Sequence, residues 1–585
     1  MVTEINVNRK DTRAFGWVQD SSNIDSLCDV VAVFDSESEF HKRLVREIIP
    51  RIVQEQDGRK EMLEALQENP LAIKYRLLTG TSFTPRSSSR CNGIVQAAVK
   101  GQKRDFIGDW PADNFVRWAQ AVGFIRYDYG NDTFSITEKG LILTRSDEST
   151  KKSVLIDAIL SYPPAYRILS LLKNPDEPLT KFELGEKLGF TGEEGFICYP
   201  IRSIVAALAE TSDKTERSKI RSDWESSSDK YARTIAQWLG HLGLVSTCKK
   251  EVVVPYGNKV LSETLGAFRI TPQGERMLRN VVGNSKHAKR EKVVSYEMFA
   301  TKGVDREYLR LRRSLILKAL VENRSPIRLS DVQSSLKKKG LEESLETIKD
   351  DLNGFGNLGL TIEVKGENVF CFDKIADFSI PVYRGMAEKS VFSKEKDEVR
   401  GKLKALAHDY LSLLDLAFDP AQNRLFEMKV MDLFVSECGF YGCHLGGSNK
   451  PDGVLYTGGD EEFTYGVIVD TKAYSKGYTL PIDQQDEMKR YISNNQKRNE
   501  LVNPTQWWNA FPDYLQECYF MFVSGEFKGN IDDKLTKISL DTETNGTAMP
   551  IITALLVADR IKQGVMDRKQ FADGISNSVY TLSEM

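Results

Sequence analysis

The chain has 585 residues, several times the length of a typical single domain, so we expect several hydrophobic cores. Apolar residues make up 41% and charged residues 28% of it. These ordinary globular values exclude a disordered chain, a collagen-like repeat and a disulfide-rich miniprotein. The net charge of −3 is unevenly spread: residues 387–585 carry 22 Lys and Arg against 30 Asp and Glu, a net of −8, which leaves +5 for residues 1–386. The first two-thirds is therefore better suited to a polyanionic partner.

The cysteines and histidines are scattered along the chain. The eight cysteines include no Cys-x-x-Cys pair, which argues against a zinc module, and the five histidines are too far apart for a histidine-metal nuclease or an H-E-x-x-H protease. Scattered free thiols fit a reducing interior, the N-terminus is too polar for a signal peptide, and no run approaches the roughly 18 apolar residues of a membrane span. We predict a cytoplasmic protein with no membrane contact.

One pattern occurs twice in the first two-thirds of the chain: a helix ending at a Gly, an apolar strand, a polar stretch and the phrase Phe-x-Ile-Thr-x-x-Gly. The copies run from Phe115 to Gly140 and from Ile235 to Gly274, and a third, degraded copy runs from Ile348 to Phe372. This order of elements is typical of a winged helix. The segments Thr180–Phe190 and Ser330–Leu341 supply preceding helices, as a helix-turn-helix requires.

The segment Trp224–Arg233 indicates what these units bind. Its Ser/Asp run is a natural N-cap, so we expect Lys230 and Arg233 in the first turn of the following helix, opposite its buried face. Basic side chains early in a recognition helix can donate to guanine O6 and N7. Two alternatives stay open, because winged helices also serve as protein–protein modules and because Lys and Arg on a helix commonly face solvent.

The densest chemical signal lies in the last third. A Gly-rich approach, Leu445–Gly453, contains Asp452 and leads into an apolar strand, and a second strand, Tyr465–Val469, runs directly into Asp470 and Lys472. Because side chains alternate on a strand, Asp470 and Lys472 face the same way, and Asp452 joins them if the two strands are neighbours. Two carboxylates can bind Mg²⁺, and a lysine can orient the nucleophile. The pattern predicts phosphodiester hydrolysis by water, with a structural surface pair as the alternative.

The same short signature also occurs at a second place. Pro512 and Asp513 are followed by Glu526 and Lys528, but Ser-Gly interrupts the strand-like Tyr519–Val523 before the acid arrives. We therefore expect Glu526 and Lys528 to lie beyond the strand. The uninterrupted strand favours the first candidate.

Two predicted helices flank this region. Asn423–Cys438 carries Glu427 near its start, which we interpret as an acid favoured by the helix dipole, with a place behind the catalytic acids as the alternative. Pro481–Gln496 carries Asp486 and Arg490 at i,i+4 spacing. Such a pair normally bridges on the helix surface, but it can also be exchanged between two chains across a two-fold axis.

These phrases together resemble the FokI-type type IIS restriction endonucleases. The most telling stretches are 446–453, 469–475, 486–491, 523–529 and 224–233. The match covers nearly the whole chain, is strongest over 408–530 and is patchier before residue 220. The resemblance implies a protein that reads an asymmetric duplex DNA site and cuts at a fixed distance outside it, with Mg²⁺ as cofactor and a companion methyltransferase.

The resemblance also implies a domain plan. Winged-helix-like recognition subdomains are expected over 1–150, 151–290 and 291–376, followed by a linker over 377–394 and a nuclease domain over 395–585. The predicted fold is multidomain. Mostly α-helical winged-helix and helix-turn-helix subdomains precede a C-terminal α/β PD-(D/E)xK nuclease, whose mixed sheet is flanked by helices.

Carried over residue by residue, the resemblance implies catalytic roles for Asp452, Asp470 and Lys472, with the two aspartates as metal ligands. Asp486 and Arg490 would form the contact of a transient nuclease homodimer. The residues with implied recognition roles are Gln19, Trp110, Glu225, Lys230 and Arg233.

One position departs from the family pattern. The family's Phe-Gly-Trp-Val-Gln-Asn stands here as Phe-Gly-Trp-Val-Gln-Asp, ending at Asp20. An asparagine can both donate and accept at adenine, whereas an ionised aspartate only accepts. The family's site is GGATG, with which guanine-directed Lys and Arg are consistent. The departure leaves the identity of at least one recognised base open.

Two other functions remain as alternatives. A winged-helix transcriptional regulator with an inert C-terminal dimerisation module predicts DNA binding and no Mg²⁺-dependent product. A structure-specific nuclease of repair or recombination predicts cutting governed by branching rather than by base sequence.

Overall fold

The structure is a computed structural model that describes residues 2–7, 16–19, 22–48, 73–74, 109–131, 133–282, 290–323, 326–383 and 388–582. The chain forms two compact units. Unit 1 comprises Met1–Thr191, Ser227–Lys250 and Gly266–Ser390, and unit 2 comprises Gly192–Ser226, Glu251–Leu265 and Val391–Met585.

The described helices and strands are as follows. The helices are α1 (Ile24–Val33), α2 (Glu39–Arg43), α3 (Asp109–Ala121), α4 (Glu138–Arg145), α5 (Glu148–Ser161), α6 (Pro163–Leu171), α7 (Lys181–Glu186), α8 (Ile201–Glu210), α9 (Lys214–Asp223), α10 (Ser227–His241), α11 (Pro272–Val282), α12 (Arg306–Glu322), α13 (Leu329–Lys338), α14 (Leu345–Leu358), α15 (Val391–Lys402), α16 (Ser412–Ala417), α17 (Asn423–Glu437), α18 (Ile482–Lys497), α19 (Ile531–Thr542), α20 (Ile551–Lys562) and α21 (Arg568–Asp573). The strands are β1 (Thr3–Val7), β2 (Ile73–Lys74), β3 (Ile125–Asp128), β4 (Thr133–Ile136), β5 (Leu179–Thr180), β6 (Val245–Tyr256), β7 (Lys259–Ile270), β8 (Ile327–Arg328), β9 (Ile362–Lys365), β10 (Asn368–Cys371), β11 (Ser379–Tyr383), β12 (Tyr441–His444), β13 (Gly453–Tyr456), β14 (Tyr465–Lys472), β15 (Glu517–Ser524), β16 (Gly546–Pro550) and β17 (Ser578–Val579).

The three predicted winged-helix patterns are present. In each, a helix (α3, α10 or α14) is followed by a strand hairpin, and a short strand from an earlier segment completes a three-stranded sheet, in the orders β2-β4-β3, β5-β7-β6 and β8-β10-β9. The helices stop at Gly123, Gly243 and Gly359, whose φ values of 79°, 76° and 112° favour glycine. The repeated Gly is therefore a backbone requirement.

Aromatic stacking ties the first two of these repeats together within unit 1. Trp118 of α3 lies parallel to Trp238 of α10, with ring centroids 4.0 Å apart and planes 5° apart, and both side chains are fully buried. At the other end of α10, Tyr231 packs on Trp17 with centroids 5.1 Å apart. Both contacts bury large apolar surfaces and so hold α10 in a defined position.

The segment that we predict as a linker contains regular structure. Ser379–Tyr383 forms β11, which pairs in parallel with β1 at the N-terminus, and α15 begins at Val391. The predicted linker over 377–394 thus includes a strand and the start of a helix. A pairing partner at the far end of the chain orders a stretch whose own sequence has no clear period.

Unit 2 contains a mixed six-stranded sheet in the order β12-β13-β14-β15-β16-β17. The strands from β12 to β14 pair antiparallel, and those from β14 to β17 pair parallel. One apolar cluster includes α17 and α20, and the other includes α18, α19 and the buried pair Trp507 and Trp508. This α/β arrangement confirms the predicted fold class of the C-terminal part. Within the described ranges, no helix is both long and apolar enough to cross a bilayer.

Candidate active site

The pairing of β13 with β14 brings the predicted carboxylates together. Gly453 pairs with Val469 in antiparallel register, so Asp452, which directly precedes β13, lies beside Asp470 near the end of β14. Asp470 is 4% exposed and Asp452 is half-buried. The negative charge of Asp470 acts on the Asp452 carboxyl and helps to raise its pKa. Two acids from separate segments therefore meet at one point.

Lys472 completes the cluster. Its Nζ lies 2.9 Å from Asp470 Oδ2, as expected for side chains two residues apart on one strand. Asp452 Oδ2 accepts hydrogen bonds from the Thr471 backbone N–H at 2.7 Å and from its hydroxyl at 3.0 Å. The residue between the two catalytic candidates of β14 thus orients the third candidate.

The electrostatics of the cluster follow from its burial. Burial, reinforced by Asp470 and Glu427, raises the pKa of Asp452 well above its usual range, and burial also raises the pKa of Asp470 against the opposing effect of Lys472. Burial alone would lower the pKa of Lys472, but Asp470 and Asp452 outweigh it and raise that pKa. The ammonium group therefore stays charged beside two crowded acids.

The donor set fits a magnesium ion. Among the described residues, no group of three or more His, Cys, Asp or Glu side chains is placed to hold a metal. The cluster itself contains two carboxylates, Asp452 and Asp470. Mg²⁺ suits this set, since it retains several waters and is commonly bound through one or two carboxylates. When both carboxyls are ionised, the two acids and the ammonium together carry one negative charge, which a divalent cation would offset.

Two further acids flank the cluster. Glu487 of α18 accepts a hydrogen bond from the Tyr491 hydroxyl at 2.9 Å and adds to the negative field at Asp470. On the other side, Glu427 of α17 faces Asp452 and lies 3.0 Å, Oε2 to Nε2, from His444. Glu427 lies beyond the first turn of α17 and has this specific partner. These observations favour the alternative interpretation, a place behind the catalytic acids, over the helix-dipole interpretation. No local pattern marks His444, so the sequence analysis missed it.

The second copy of the short signature behaves as expected. Glu526 and Lys528 form a pair at 3.3 Å beyond β15, with about half of each side chain exposed. Asp513 is 93% exposed and pairs with Arg498 at 2.9 Å. The prediction that this copy lies outside the strand is confirmed.

The predicted dimer residues lie on the surface of α18. Asp486 pairs with Lys489 at 3.4 Å, and Arg490 lies 3.8 Å from the Glu487 carboxylate. The two side chains are 55% and 66% exposed. Among the described side chains, Asp486 and Arg490 are thus not paired with each other, although their spacing allows it.

Only some of the predicted recognition residues lie near one another in the structure. Helix α10 begins at Ser227, so Lys230 lies in its first turn while Arg233 lies in the second. Our placement of Arg233 in the first turn is wrong, since the helix already starts at Ser227, within the predicted Ser/Asp cap. Both basic side chains are half-buried, and the Trp17–Tyr231 contact places the segment of Gln19 beside this end of α10.

The structure shows less about the other recognition candidates, Glu225, Trp110 and Asp20. Glu225 is half-buried, and its backbone N–H donates to the Ser222 carbonyl at 3.4 Å. Trp110 lies in the first turn of α3. Asp20, the position that departs from the family pattern, lies outside the described residues.

Four family profiles match this chain. They are the FokI recognition domain subdomain 1 over residues 13–146, subdomain 2 over 151–286, the FokI D3 domain over 299–367 and the FokI cleavage domain over 389–580. The type II restriction enzyme FokI of Planomicrobium okeanokoites is 43% identical over 578 residues, which span 97% of this chain and 99% of the relative. The chain belongs to the FokI family of type II restriction endonucleases.

Other relatives agree with this assignment. The type II restriction enzyme StsI of Streptococcus sanguinis is 35% identical over 580 residues, 96% of this chain and 95% of the relative. The solved structures of FokI, alone and bound to DNA, each align with a TM-score of 0.87 at 41% identity, covering 98% of this chain and 100% of the solved one. The predicted family, fold class and enzyme class are confirmed, and the inert regulator is set aside.

Proposed function

We propose that this member of the FokI family is a Mg²⁺-dependent type IIS endonuclease that binds an asymmetric duplex site and cleaves at a fixed distance outside it. The observation that carries the proposal is the convergence of Asp452, Asp470 and Lys472 at one end of the β13–β14 pair. Such a cluster fits metal-assisted hydrolysis of a phosphodiester.

In the proposed mechanism, Asp452 and Asp470 would hold Mg²⁺, which would acidify a bound water and offset phosphate charge. The hydrogen bonds from Thr471 fix the Asp452 carboxylate toward Asp470. Lys472 stays protonated beside Asp470, so its ammonium can orient the attacking water and stabilise negative charge on the phosphate. Burial strengthens both interactions, since little water screens them.

We propose that cleavage of both DNA strands uses two copies of the nuclease domain, since the described part of each chain brings Asp452, Asp470 and Lys472 together at one place. We propose that the copies meet through Asp486 and Arg490 in a transient homodimer. Both side chains are exposed on one helix and are not paired with each other, so each is available to the opposite charge of a second chain.

For recognition, we propose that α10 enters the major groove with Lys230 and Arg233, aided by Gln19, Trp110 and Glu225. The solved structure of FokI bound to DNA, which is 41% identical to this chain, supports DNA as the partner. A site similar to GGATG follows from the family resemblance, with one base left open by the aspartate at position 20. A companion methyltransferase also follows from that resemblance.

We retain recognition subdomains over 1–150, 151–290 and 291–376 and a nuclease domain over 395–585 as the proposed functional division. The four matching profiles support it. A linker over 377–394 stays part of this proposal, and it includes β11 and the start of α15.

The test is cleavage of plasmid DNA with and without Mg²⁺, followed by run-off sequencing of the ends. We expect Mg²⁺-dependent products whose ends lie at one fixed distance from a common asymmetric sequence. Ends that follow branched or cruciform DNA instead would favour a structure-specific nuclease, and ends within the recognised sequence would contradict the type IIS assignment.

A further inference from the structure

Helix α17 carries a polar pair on an otherwise apolar, buried face. Asn423, its first residue, donates from Nδ2 to Glu427 Oε1 at 2.6 Å, one turn along the helix. Glu427 is 9% exposed, and the α17 residues Phe426 and Val430 are fully buried. A buried carboxylate is costly unless its oxygens are hydrogen-bonded, so the positions of its partners matter.

The pair contacts the strand that carries Asp470 and Lys472. Asn423 Oδ1 accepts from the Ala473 backbone N–H at 3.4 Å, directly after Lys472. The next residue is also held, since the Tyr474 backbone N–H donates to the Ala417 carbonyl at 3.0 Å. Asn423 of α17 and Ala417 of α16 thus hold the two residues that follow β14.

The same pair contacts the segment that carries Asp452. Glu427 Oε2 lies 3.0 Å from His444 Nε2, at the end of β12. The imidazole packs against Gly446 so closely that a Cβ there would lie 2.7 Å from His444 Cε1. In turn, the backbone N–H groups of Leu445 and Gly446 donate to the Asp452 carbonyl at 2.7 and 3.2 Å. The position of the His444 ring therefore sets the loop that holds Asp452.

We propose that Asn423, Glu427 and His444 form a brace, a chain of hydrogen bonds that positions the Asp452 segment against the Asp470–Lys472 strand. They are positioning residues, and the inference rests on the proposed active site. Both Glu427 oxygens are already engaged, one by Asn423 and one by His444, which favours a positioning role over direct metal binding. Catalytic groups must hold their geometry to within about 0.5 Å, and a misplacement of about 1 Å can cost about 100-fold in rate.

The central experiment compares Glu427→Gln with Glu427→Ala. Glutamine keeps the shape and can accept from Asn423 while hydrogen-bonding to His444, so we expect it to cleave within a few-fold of wild type. Alanine removes both bonds, so we expect the cleavage rate at saturating DNA to fall by about 10- to 100-fold, with the dissociation constant for site DNA unchanged. If Glu427→Gln loses as much as Glu427→Ala, the negative charge matters rather than the hydrogen bonds, and the brace is refuted.

A second comparison keeps the test decisive if Glu427→Ala folds poorly. His444→Ala and Asn423→Ala each break one end of the brace, and their double variant should be less impaired than the product of the two single losses, because residues that act as one unit are not additive. The brace would be overturned if the rate loss of the double variant equalled the product of the two single losses. It would also be overturned if both single variants cleaved at the wild-type rate. Lys472→Ala is assayed in parallel: cleavage by that variant would refute the active site itself, whereas loss there with wild-type Glu427→Ala refutes only the brace.

Discussion

Replacing Lys472 by alanine tests the proposed active site most directly. At an effective dielectric constant of about 20, two unit charges 2.9 Å apart attract by about 6 kcal/mol before desolvation is subtracted. The lysine side chain is 18% exposed, so solvent screens the interaction only in part. Removing a single preorganised group that stabilises transition-state charge typically costs about 100- to 1000-fold in rate. We expect a loss of at least that size for Lys472→Ala.

The chain provides a matched control in Lys528. It also follows an acid two residues earlier, Glu526, at 3.3 Å, but lies beyond its strand with half of its side chain exposed. Lys528→Ala should therefore cleave DNA at the wild-type rate. The two variants differ in the location of the lysine and not in the chemistry of the substitution.

The assay is single-turnover cleavage of a duplex containing the recognition site, with binding measured separately by gel shift without Mg²⁺. Lys472→Ala should bind with wild-type affinity, since the recognition candidates lie outside the catalytic cluster. Wild-type cleavage by Lys472→Ala, or an equal loss in Lys528→Ala, would refute the argument that strand geometry selects the catalytic lysine.

Three further predictions concern assembly, metal and stability. Asp486→Arg and Arg490→Asp should each cut both strands poorly alone, because each homodimer would place like charges opposite one another. A mixture of the two variants should recover double-strand cutting, because each mixed dimer pairs opposite charges. No recovery on mixing would argue against this contact. Chelation of divalent ions should abolish cleavage yet preserve site binding by gel shift, and cleavage that persists in chelator would exclude the aspartates as metal ligands. The hydrogen bond from Arg145 lowers the pKa of the buried Asp35 carboxyl to about 2, below its unfolded value of about 3.9. Arg145→Met should therefore melt at a lower temperature at pH 7, and the gap to wild type should narrow from about pH 4 towards pH 2; a constant gap would contradict this linkage.

Much of the fold could be predicted because its signals are local. The helix, Gly stop and hairpin of each winged-helix repeat depend on residues within a few positions of one another, and the φ of Gly123 and Gly243 shows why the glycine recurs. The facing of Asp470 and Lys472 follows from strand alternation alone. The two copies of the short signature could be told apart for the same reason, since only one continues its strand.

What the sequence could not decide depends on partners distant along the chain. The approach of Asp452 to Asp470 requires the β13–β14 register, and the pairing of β11 with β1 joins opposite ends of unit 1. The role of Glu427 cannot be inferred from its own helix, because its partner His444 lies on another element.

The grouping of residues 251–265 with unit 2 shows the same limit. It includes a hydrogen bond from the Gly257 backbone N–H to the Gly442 carbonyl and one from the Tyr256 hydroxyl to the His444 carbonyl. The periodicity of apolar residues along the sequence indicates only which face of a helix or strand is apolar. Which surface covers that face is determined by tertiary packing, and so is the identity of the polar groups that meet there.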